Sequence, residues 1–495
     1  MFIGIDLGTS SVKTILIDEN QKILSTHSEN YKLYNPRIGY YEQNPEDWYK
    51  ATIKCFKKIK EKKPKQFSAV RSIGISGQMH GATLIDSNSR VLRPCILWND
   101  TRSMKECLKM EENYSFLRKE SGNIAMPGFT APKILWIKKY EKEIFKQIYK
   151  VLLPKDYLRY RLSNNFYTDM SDASGTLWLN VKKRNWSENL LNLTELNINH
   201  MPKLVEGSDV TGTINKKLAN TLGFNNEVLI AGGAGDQAAG ATGSGVIQSS
   251  DSVISLGTSG VYFSPTNTYV ANTADAVHSF CHCVPNTWHH MSVMLSATNC
   301  LDWFNNIFHL KIDENMKIFE NFSKKEFNIN STPHFLPYLS GERTPHNNAY
   351  LRGSFHLLDT STSLDSLIYS VIEGISFGIK DGFEAIHSVS PKSKEIYLVG
   401  GGSKNIFWGT LISSLLNQSV LIGEDSDLGP ALGVARLAML STNEYQINEV
   451  IKRMKIIKEC SIDNNISERL HKRYKNWKEI VNTNNPIAKK LMEGC

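Results

Sequence analysis

The sequence contains no apolar run that approaches the roughly 20 residues a helix needs to cross a bilayer. Its first residues, MFIGIDLGTSS, also lack the basic leader and the long apolar stretch of a secretory signal. These two absences argue against an integral membrane protein and against an exported one. We therefore expect a cytoplasmic protein that has no membrane partner.

The eight cysteines lack the regular spacing of a disulfide framework or of a zinc module. The densest group is Cys281 and Cys283, which flank His282 and lie close to His278 in the sequence. Neighbouring residues of a strand point to opposite faces, and no second pair of ligands follows, so this group is a poor metal site. We interpret these cysteines as reduced thiols in a hydrophobic core.

A large excess of one charge is missing as well, because a net charge of +8 is small for 495 residues. The most basic segment, residues 54–66, reads KCFKKIKEKKPKQ and is typical of the solvated end of a helix. It lacks the regular interleaving of aromatic or glycine residues and the pattern of a known nucleic-acid module. We expect no nucleic-acid partner.

The chain does contain an alternation of β-rich and helical patterns, which is typical of an α/β protein. Residues 91–97 and Glu395–Val399 are β-rich and apolar, whereas residues 364–386 place apolar side chains at helical spacing. Thr362 and Asp365 resemble a capping box at the start of that helix. A length of 495 residues exceeds what one hydrophobic core usually supports, so we expect two domains.

The two halves of the chain share a short repeat. Residues 7–10 and residues 256–259 both read Leu-Gly-Thr-Ser, and each copy lies between two β-rich runs. Each copy therefore predicts a hairpin whose turn consists of Gly, Thr and Ser. Because the copies stand half a chain apart, we predict two related domains, residues 1–244 and residues 245–495. The small residues at 240–245 suit a hinge between them.

Turns of this kind expose backbone N–H groups and hydroxyls, which suit the oxygens of a phosphate. A plain hairpin turn is the alternative for either copy, but two copies with the same core favour phosphate contact. The predicted contacts are Thr9, Ser10, Ser11, Lys13, Gly257, Thr258 and Ser259. Asp6 precedes the first turn, where a carboxylate can hold Mg²⁺ or merely cap the turn. The second copy has Ser255 in that place, as expected if the two hairpins share one metal ion.

A third glycine-rich loop follows the predicted strand Glu395–Val399 and precedes a predicted helix. Its candidate nucleotide contacts are Gly401, Gly402 and Asn405, and a fourth glycine-rich segment lies at residues 429–433. Glycine lets the backbone approach a ligand closely, and a helix N-terminus favours negative charge, so both segments suit an adenine nucleotide. Neither segment has the Gly-Lys-Ser/Thr of a Walker loop or the dinucleotide-binding fingerprint.

Asp236 is the strongest candidate for a catalytic group. It lies among small residues in AGGAGDQAAG, after an apolar strand predicted at residues 228–230. A buried carboxylate that stays ionised can accept the proton of an attacking hydroxyl during phosphoryl transfer. Considered alone, this Asp is better interpreted as the cap of the following helix. The two phosphate turns favour the catalytic interpretation.

Polar side chains follow two predicted strands in the first half of the chain, at the edge where α/β proteins bind ligands. The substrate-contact candidates at these strand ends are Gln78, Met79, His80, Trp98 and Asn99, to which we add Asp236. Amide, imidazole and carboxylate groups beside a flat apolar wall are what a hydroxyl-rich sugar needs. These residues therefore predict a sugar site.

Longer motifs extend these local patterns: DLGTSSVK, SGQMHGATL, LRPCILWNDTR, MPGFTAPKILW, LLPKDYLR, DMSDASGTLWL, GAGDQAAGA, SLGTSGVYF, LPYLSGERTPHNN, LVGGGSKN and GPALGVARLA. Together they resemble the FGGY carbohydrate kinases, and among these the bacterial kinases of D-xylulose. The resemblance implies an actin-like (RNase H-like) α/β fold that is duplicated across two domains, with the active site in the cleft between them. A homodimer is implied only as an expectation for the family.

The resemblance also implies transfer of the ATP γ-phosphate to the 5-hydroxyl of D-xylulose, with Mg²⁺ as the cofactor. Asp236 is then the catalytic base and Asp6 the carboxylate important for Mg-ATP, while Met79 and His80 stand where the family contacts the sugar. The two Gly-Thr-Ser turns face the phosphates, and the third glycine-rich loop lies near the adenosine. Gln237 stands where an Asn often follows the catalytic Asp, so we expect altered reach with retained chemistry.

Two alternatives stay open on the sequence alone. One is a kinase of the same class that acts on another polyol or ketose, such as ribulose, fuculose, gluconate or glycerol, because pocket shape decides between these substrates. The other is an actin-like ATP-binding scaffold without turnover. The presence of both Asp6 and Asp236 disfavours the scaffold.

Overall fold

The computed structural model of the chain describes residues 1–310, 322, 332–424 and 429–493, and Cys495 lies outside this part. Two seven-stranded sheets form the centre of the molecule, one from the first half of the chain and one from the second. Within the described ranges, none of the helices combines the length and the apolar character that a bilayer crossing requires.

The strands are, in chain order, β1 (Phe2–Leu7), β2 (Ser11–Ile17), β3 (Ile23–Asn30), β4 (Glu42–Gln43), β5 (Ser72–Gly77), β6 (Thr83–Ile85), β7 (Cys95–Ile96), β8 (Lys150–Leu152), β9 (Tyr167–Asp169), β10 (Leu179–Asn180), β11 (Asn185–Trp186), β12 (Lys203–Val205), β13 (Val210–Thr213), β14 (Leu229–Ala231), β15 (Ala234–Gly235), β16 (Asp251–Leu256), β17 (Gly260–Thr266), β18 (His278–Cys281), β19 (Trp288–Met294), β20 (His334–Leu336), β21 (Ser354–His356), β22 (Glu395–Val399), β23 (Val420–Gly423) and β24 (Ile456–Cys460).

The α-helices are α1 (Pro45–Lys62), α2 (Pro64–Ser68), α3 (Met104–Asn113), α4 (Leu117–Ser121), α5 (Thr130–Tyr140), α6 (Lys142–Lys146), α7 (Pro154–Ser163), α8 (Met170–Ser174), α9 (Glu188–Asn192), α10 (Lys216–Leu222), α11 (Asp236–Ser244), α12 (Thr298–Phe308), α13 (Leu364–His387), α14 (Ile406–Leu416), α15 (Gly429–Leu440), α16 (Ile447–Val450) and α17 (Asn464–Glu493). Short 3₁₀ helices lie at Ile198–His200 and Gly401–Lys404.

The two large sheets share a path of six strands, to which the second adds β18 at one edge. The first runs β13-β14-β5-β1-β2-β3, with β15 also paired to β5, and the second runs β24-β23-β22-β16-β17-β19-β18. In the first sheet, β1 pairs antiparallel with β2 and parallel with β5. In the second sheet, β16 pairs antiparallel with β17 and parallel with β22 in the same way. Both Leu-Gly-Thr-Ser segments are the turns of these hairpins. The predicted duplication of an α/β unit is therefore confirmed.

Helix α13 confirms the helix predicted at residues 364–386, but its cap differs from the prediction. The hydroxyl oxygen of Ser363, and not that of Thr362, accepts the N–H of Ser366 at the start of the helix. Thr362 instead accepts the N–H of Asp359 in the preceding turn. The capping-box prediction is wrong by one residue, because two adjacent hydroxyls fit the pattern and the preceding turn decides between them.

The β-rich segment at residues 91–97 forms only the two-residue strand β7. Pro94 has no N–H to donate to a sheet, which interrupts a longer strand. Arg93, beside it, turns its guanidinium towards the carboxylates of Glu42 and Glu141. The strand predicted at residues 91–97 is therefore confirmed only for Cys95–Ile96.

Helices α11 and α15 pack against each other through glycine. A Cβ at Gly433 would collide with the carbonyl oxygen of Ala239, and a Cβ at Gly243 would collide with that of Gly429. The small residues that we interpreted as a hinge and as a nucleotide contact therefore allow two helices to approach closely. Glycine in a sequence indicates close approach, but it does not say which group approaches.

Helix α15 comes from the second half of the chain but packs on the first sheet. Gly4 in β1 lies against the carbonyl oxygen of Ala431, and Gly74 in β5 lies against that of Val434. Val434 and Ala431 are fully buried in a core cluster that also contains Phe2. The two halves of the chain are thus joined by an apolar contact between α15 and the strands β1 and β5. The candidate site lies at the ends of these strands.

The cysteine and lysine groups of the sequence have ordinary structural places. Cys281, Cys283 and His282 are fully buried, and the cysteines are free thiols. The sulfur of Cys283 lies 3.1 Å from the hydroxyl of Thr242. The lysine-rich segment forms the exposed end of α1. Both placements agree with the interpretations made from the sequence.

Candidate active site

Asp6 lies in β1, one strand position before the first turn. Its neighbours across the sheet are Lys13 in β2 and Ser76 in β5. The hydroxyl of Ser76 donates to Asp6 Oδ1 at 2.9 Å. Burial raises the pKa of Asp6, while this hydrogen bond and the charge of Lys13 lower it in part. Asp6 therefore presents a desolvated carboxylate whose second oxygen has no hydrogen bond within the described residues.

Asp236 is the first residue of α11 and directly follows β15, which pairs with β5 beside Asp6. Its Oδ1 accepts the N–H of Gln237 at 2.8 Å. Burial, and after it the negative charge of Asp6, raises the pKa of Asp236 to about 7. The charge of Asp6 thus acts on Asp236 from the opposite side of β5. With a pKa of about 7, this carboxylate is about half ionised at neutral pH, and its ionised form is basic enough to take a proton.

Buried polar groups form hydrogen bonds with the backbone that precedes Asp236. The N–H of Gly235 donates to Ser171 Oγ at 3.0 Å, and that hydroxyl donates to Asp169. Arg159 donates to the carbonyl oxygen of Gly232. These bonds fix the direction in which Asp236 leaves the sheet.

These bonds are anchored in a fully buried charge cluster, which we call the Lys155 cluster. The ammonium of Lys155 lies 2.6 Å from Asp156, 2.8 Å from Asp169 and 3.4 Å from Asp172, and all four side chains have no exposed surface. Asp172 has a pKa well above its usual range, because of burial first and only then because of its neighbours, Asp236 among them. The backbone that carries Asp236 is therefore held in place by a buried cluster of paired charges.

Met79 and His80 lie beside Asp236. A Cβ at Gly235 would lie 2.9 Å from the sulfur of Met79, so a side chain there would displace Met79. His80 has a positive φ of 68° and places Nδ1 2.7 Å from the carbonyl oxygen of Gly175. Burial holds the pKa of His80 well below its usual range. A neutral imidazole that donates from Nδ1 keeps Nε2 as an acceptor for a hydroxyl.

Gln78 faces away from this group. It is 2% exposed, and its amide donates at 2.8 Å to Oε1 of Gln43, whose own amide donates at 2.6 Å to the carbonyl oxygen of Thr9. The indole of Trp98 also bonds this turn, at 3.0 Å from the hydroxyl oxygen of Thr9. Asn99 Oδ1 is buried without a partner in the described part of the chain.

In both Gly-Thr-Ser turns the glycine N–H donates to a carbonyl oxygen within the turn, but the second turn is one residue shorter. The N–H of Gly8 donates to Ser11 at 3.0 Å, and the N–H of Gly257 donates to Ser259 at 3.1 Å. The described residues supply no acceptor for the N–H groups of the residues between them, Thr9 and Ser10 in one turn and Thr258 in the other. Both turns therefore present free donors, as a phosphate site requires.

The third glycine-rich loop lies beside the second turn, because Val399 at the end of β22 pairs with Ser255 in β16. A side chain at Gly401 would meet nothing within 4 Å, so this backbone is open. Asn405 caps α14 by accepting the N–H of Trp408 at 3.1 Å, and its buried Nδ2 has no partner in the described residues.

The predicted residues fall into two groups, one at each sheet. The first sheet gathers Asp6, Thr9, Met79, His80, Trp98 and Asp236, and the second gathers the Gly257 turn and the loop at residues 401–405. No hydrogen bond joins the two groups within the described ranges. The contacts of these residues with ligands stay predictions.

Two further charged residues were missed by the sequence reasoning, although they lie in quoted motifs. Lys133, of APKILW, is fully buried and donates to the carbonyl oxygens of His80 at 3.0 Å and Gly128 at 2.6 Å. Burial lowers its pKa to about 7. Arg343, of SGERTPHNN, comes from the second half and lies 5.9 Å from the ring of Trp98. Only tertiary contacts reveal these positions.

Comparison with known proteins covers most of the chain. Residues 1–243 match the N-terminal domain of the FGGY family of carbohydrate kinases, and residues 252–442 match the C-terminal domain. The xylulose kinase of Escherichia coli (strain K12) is 43% identical over 455 residues, or 92% of this chain and 93% of that protein. The xylulose kinase of Klebsiella pneumoniae is 42% identical over 444 residues, or 90% of each. The crystal structure of a "xyloylose kinase" from Brucella ovis matches with a TM-score of 0.94 and 39% identity, over 98% of this chain and 99% of that one.

Proposed function

The chain belongs to the FGGY family of carbohydrate kinases, and from this we propose that it transfers the γ-phosphate of ATP to the 5-hydroxyl of D-xylulose. The product is D-xylulose 5-phosphate. The observation that carries this proposal is the pair of carboxylates, Asp6 in β1 and Asp236 directly after β15, on the two strands that flank β5, with the charge of Asp6 acting on Asp236. The duplicated α/β fold is the actin-like fold expected from the sequence.

In the proposed mechanism, Asp236 accepts the proton of the sugar hydroxyl as that oxygen attacks the γ-phosphorus. Phosphoryl transfer passes through a loose transition state, so most of the acceleration comes from positioning and charge stabilisation. Met79 supplies an apolar wall beside Asp236, and His80 offers Nε2 to a sugar hydroxyl. The proton is taken late, which suits a base whose pKa is about 7.

The two Gly-Thr-Ser turns hold the phosphates through backbone N–H groups and hydroxyls. The first turn is tied to the sugar side by Trp98, which donates to Thr9, and by the amide chain from Gln78 through Gln43. Gly401, Gly402 and Asn405 receive the adenosine, where the open backbone at Gly401 leaves room. The unpartnered Nδ2 of Asn405 is a donor suited to a nucleotide atom.

Asp6 fits a magnesium ion. Mg²⁺ prefers carboxylate oxygens and usually keeps several water molecules, so one carboxylate beside the phosphates suffices. Asp6 has one oxygen held by Ser76, and no described residue donates to the other. A bound Mg²⁺ would neutralise charge on the phosphates. Lys13, opposite Asp6 on β2, adds positive charge on the same side.

The Asp6→Asn variant tests the metal role. We expect the loss of the carboxylate to lower kcat/KM for ATP about 10- to 100-fold, and excess Mg²⁺ to restore part of it by mass action. Removal of the Asp6 charge also lowers the pKa of Asp236, so the acid limb of the pH–rate profile moves to lower pH. Initial rates over a Mg²⁺ titration at several pH values measure both effects. An unchanged Mg²⁺ dependence would contradict the metal role.

A panel of sugars tests the substrate. We expect ADP release, followed with a coupled assay, to be fastest with D-xylulose and at least about tenfold slower in kcat/KM with ribulose, fuculose, gluconate and glycerol, because polar groups in a fitted pocket reject ligands that leave them unpaired. Mass spectrometry of the product identifies the phosphorylated sugar. A higher kcat/KM with another sugar would replace D-xylulose in the proposal, and ATP binding without any sugar phosphate would favour the scaffold.

A further inference from the structure

Arg343 reaches from the second half of the chain into the sugar side of the first. Its backbone is fixed by Glu342, whose Oε1 accepts the N–H of Arg343 at 2.8 Å and the N–H of Leu295 at 2.9 Å. The guanidinium lies 5.9 Å from the ring of Trp98. A Cβ at Gly128 would lie 2.9 Å from Nη2 of Arg343, so the absence of a side chain there makes room for the guanidinium.

The guanidinium has donors but no acceptor. It carries five N–H groups in a fixed plane, and a contact with an aromatic ring satisfies none of them. No side chain or carbonyl oxygen of the described residues accepts a hydrogen bond from it. Burial lowers the pKa of Arg343 to about 10, which reflects the loss of hydration. Arg343 is only partly exposed, so a ligand that displaces the remaining water would have to supply an acceptor for these donors.

Other polar atoms around this point also lack partners in the described part of the chain. Asn99 Oδ1, next to Trp98, is buried and unpaired. His278 is 1% exposed, its Nε2 is unpaired, and its ring centroid lies 5.5 Å from that of Phe129. The ring of His80 lies 4.8 Å from the same Phe129. A buried set of unpaired donors and acceptors is typical of a site made for a polar ligand.

The contacts give the order of these groups along the site. Gly235, which precedes Asp236, touches Met79, and His80 is the next residue. The ammonium of Lys133 joins the carbonyl oxygens of His80 and Gly128, and Gly128 lies against Arg343. Arg343 therefore lies at the far end of this chain of contacts from Asp236. A ketose whose 5-hydroxyl meets Asp236 points its other end, the C2 carbonyl and the C1 hydroxyl, at Arg343.

We propose that Arg343 is a substrate-binding residue that donates to the C2 carbonyl and the C1 hydroxyl of the ketose. This inference rests on the proposed function and extends it to the end of the sugar that does not react. Two adjacent oxygens match the paired N–H groups of a guanidinium. Because Arg343 belongs to the second half of the chain and Asp236 to the first, one sugar molecule then contacts both halves.

The test compares D-xylulose with 1-deoxy-D-xylulose, which lacks the C1 hydroxyl. We expect the wild-type enzyme to prefer D-xylulose in kcat/KM, and Arg343→Ala to lower kcat/KM for D-xylulose by about 10- to 100-fold, mainly through KM. The loss for the deoxy sugar is smaller, so the preference collapses. Arg343→Lys, which keeps the charge without the paired donors, retains only part of the preference.

Arg352→Ala is the matched control, because Arg352 is exposed and bonds only carbonyl oxygens of its own segment. It keeps the wild-type preference. An active wild-type enzyme whose preference is unchanged in both Arg343 variants would overturn this inference alone. A wild-type enzyme inactive on D-xylulose would overturn the proposed function, and this inference with it. Thermal unfolding of each variant identifies a folding defect. If Arg343→Ala has such a defect, the sugar preference of Arg343→Lys decides the test.

Discussion

Asp236→Asn is expected to lower kcat by about a thousandfold or more while binding of ATP and sugar is retained. General base catalysis contributes about 10²- to 10⁴-fold in enzymes, and an amide of the same size cannot accept the proton. The hydrogen bond from the N–H of Gln237 can still be accepted by the amide oxygen, so the loop keeps its shape. Coupled measurement of ADP release gives kcat, and calorimetric titration gives the affinity for the sugar.

The pH dependence gives a second expectation for the same residue. Since the pKa of Asp236 is raised to about 7, the wild-type rate should fall as the pH drops below 7 and the base becomes protonated. The folded-state pKa lies above the ordinary value of about 3.9 for an Asp in the unfolded chain, so ionisation destabilises the fold as the pH rises from about 4 to 7. Asp236→Asn avoids this loss. Its melting temperature should exceed that of the wild type at pH 8 and match it near pH 4.

Asp302→Asn is the matched control, because Asp302 is an exposed carboxylate on α12. It should leave the rate, its pH profile and the melting temperature unchanged. Near-wild-type turnover in Asp236→Asn would exclude the base role and leave Asp236 at most an orienting part. A loss of sugar affinity as large as the loss of kcat would show that Asp236 acts mainly in binding.

The duplicated fold could be predicted because its evidence is local. Residues 7–10 and 256–259 form turns whose shape depends on Gly, Thr and Ser in adjacent positions, and the flanking runs are buried on both faces and therefore apolar. A repeat of such a hairpin half a chain apart implies a repeated sheet. Asp6 and Asp236 were found for a similar reason, since each stands next to a turn or a run of small residues.

The rest of the site depends on contacts between residues far apart in the sequence. Arg343 matters because it meets Trp98, and no spacing in the sequence predicts that contact. Gln78 stands in a motif with Met79 and His80, but it follows a strand whose side chains alternate, so its amide turns towards Gln43. The glycines of α11 and α15 indicate close approach, and only the fold shows that helices approach each other.

The Lys155 cluster carries the largest expected effect on stability. A buried ion pair adds little stability over an apolar replacement of both partners, but removal of one partner leaves the other charge buried and unpaired. Lys155 faces Asp156, Asp169 and Asp172, with Arg159 beside Asp156 as the other cation. Loss of the ammonium therefore leaves carboxylates that neither water nor another cation can fully compensate.

Lys155→Met is accordingly expected to lower the free energy of unfolding by about 3–5 kcal/mol, measured by urea denaturation. Without the ammonium, ionisation of the buried carboxylates costs more in the folded variant, so the deficit is largest at pH 8 and shrinks towards pH 5 as protonation removes their charges. Lys146→Met is the control, because its 2.7 Å ion pair with Glu143 is exposed and should contribute nothing measurable. Asp172→Asn added to Lys155→Met should recover part of the loss. Equal stabilities of Lys155→Met and Lys146→Met would contradict the view that the Lys155 cluster supports the backbone beneath Asp236.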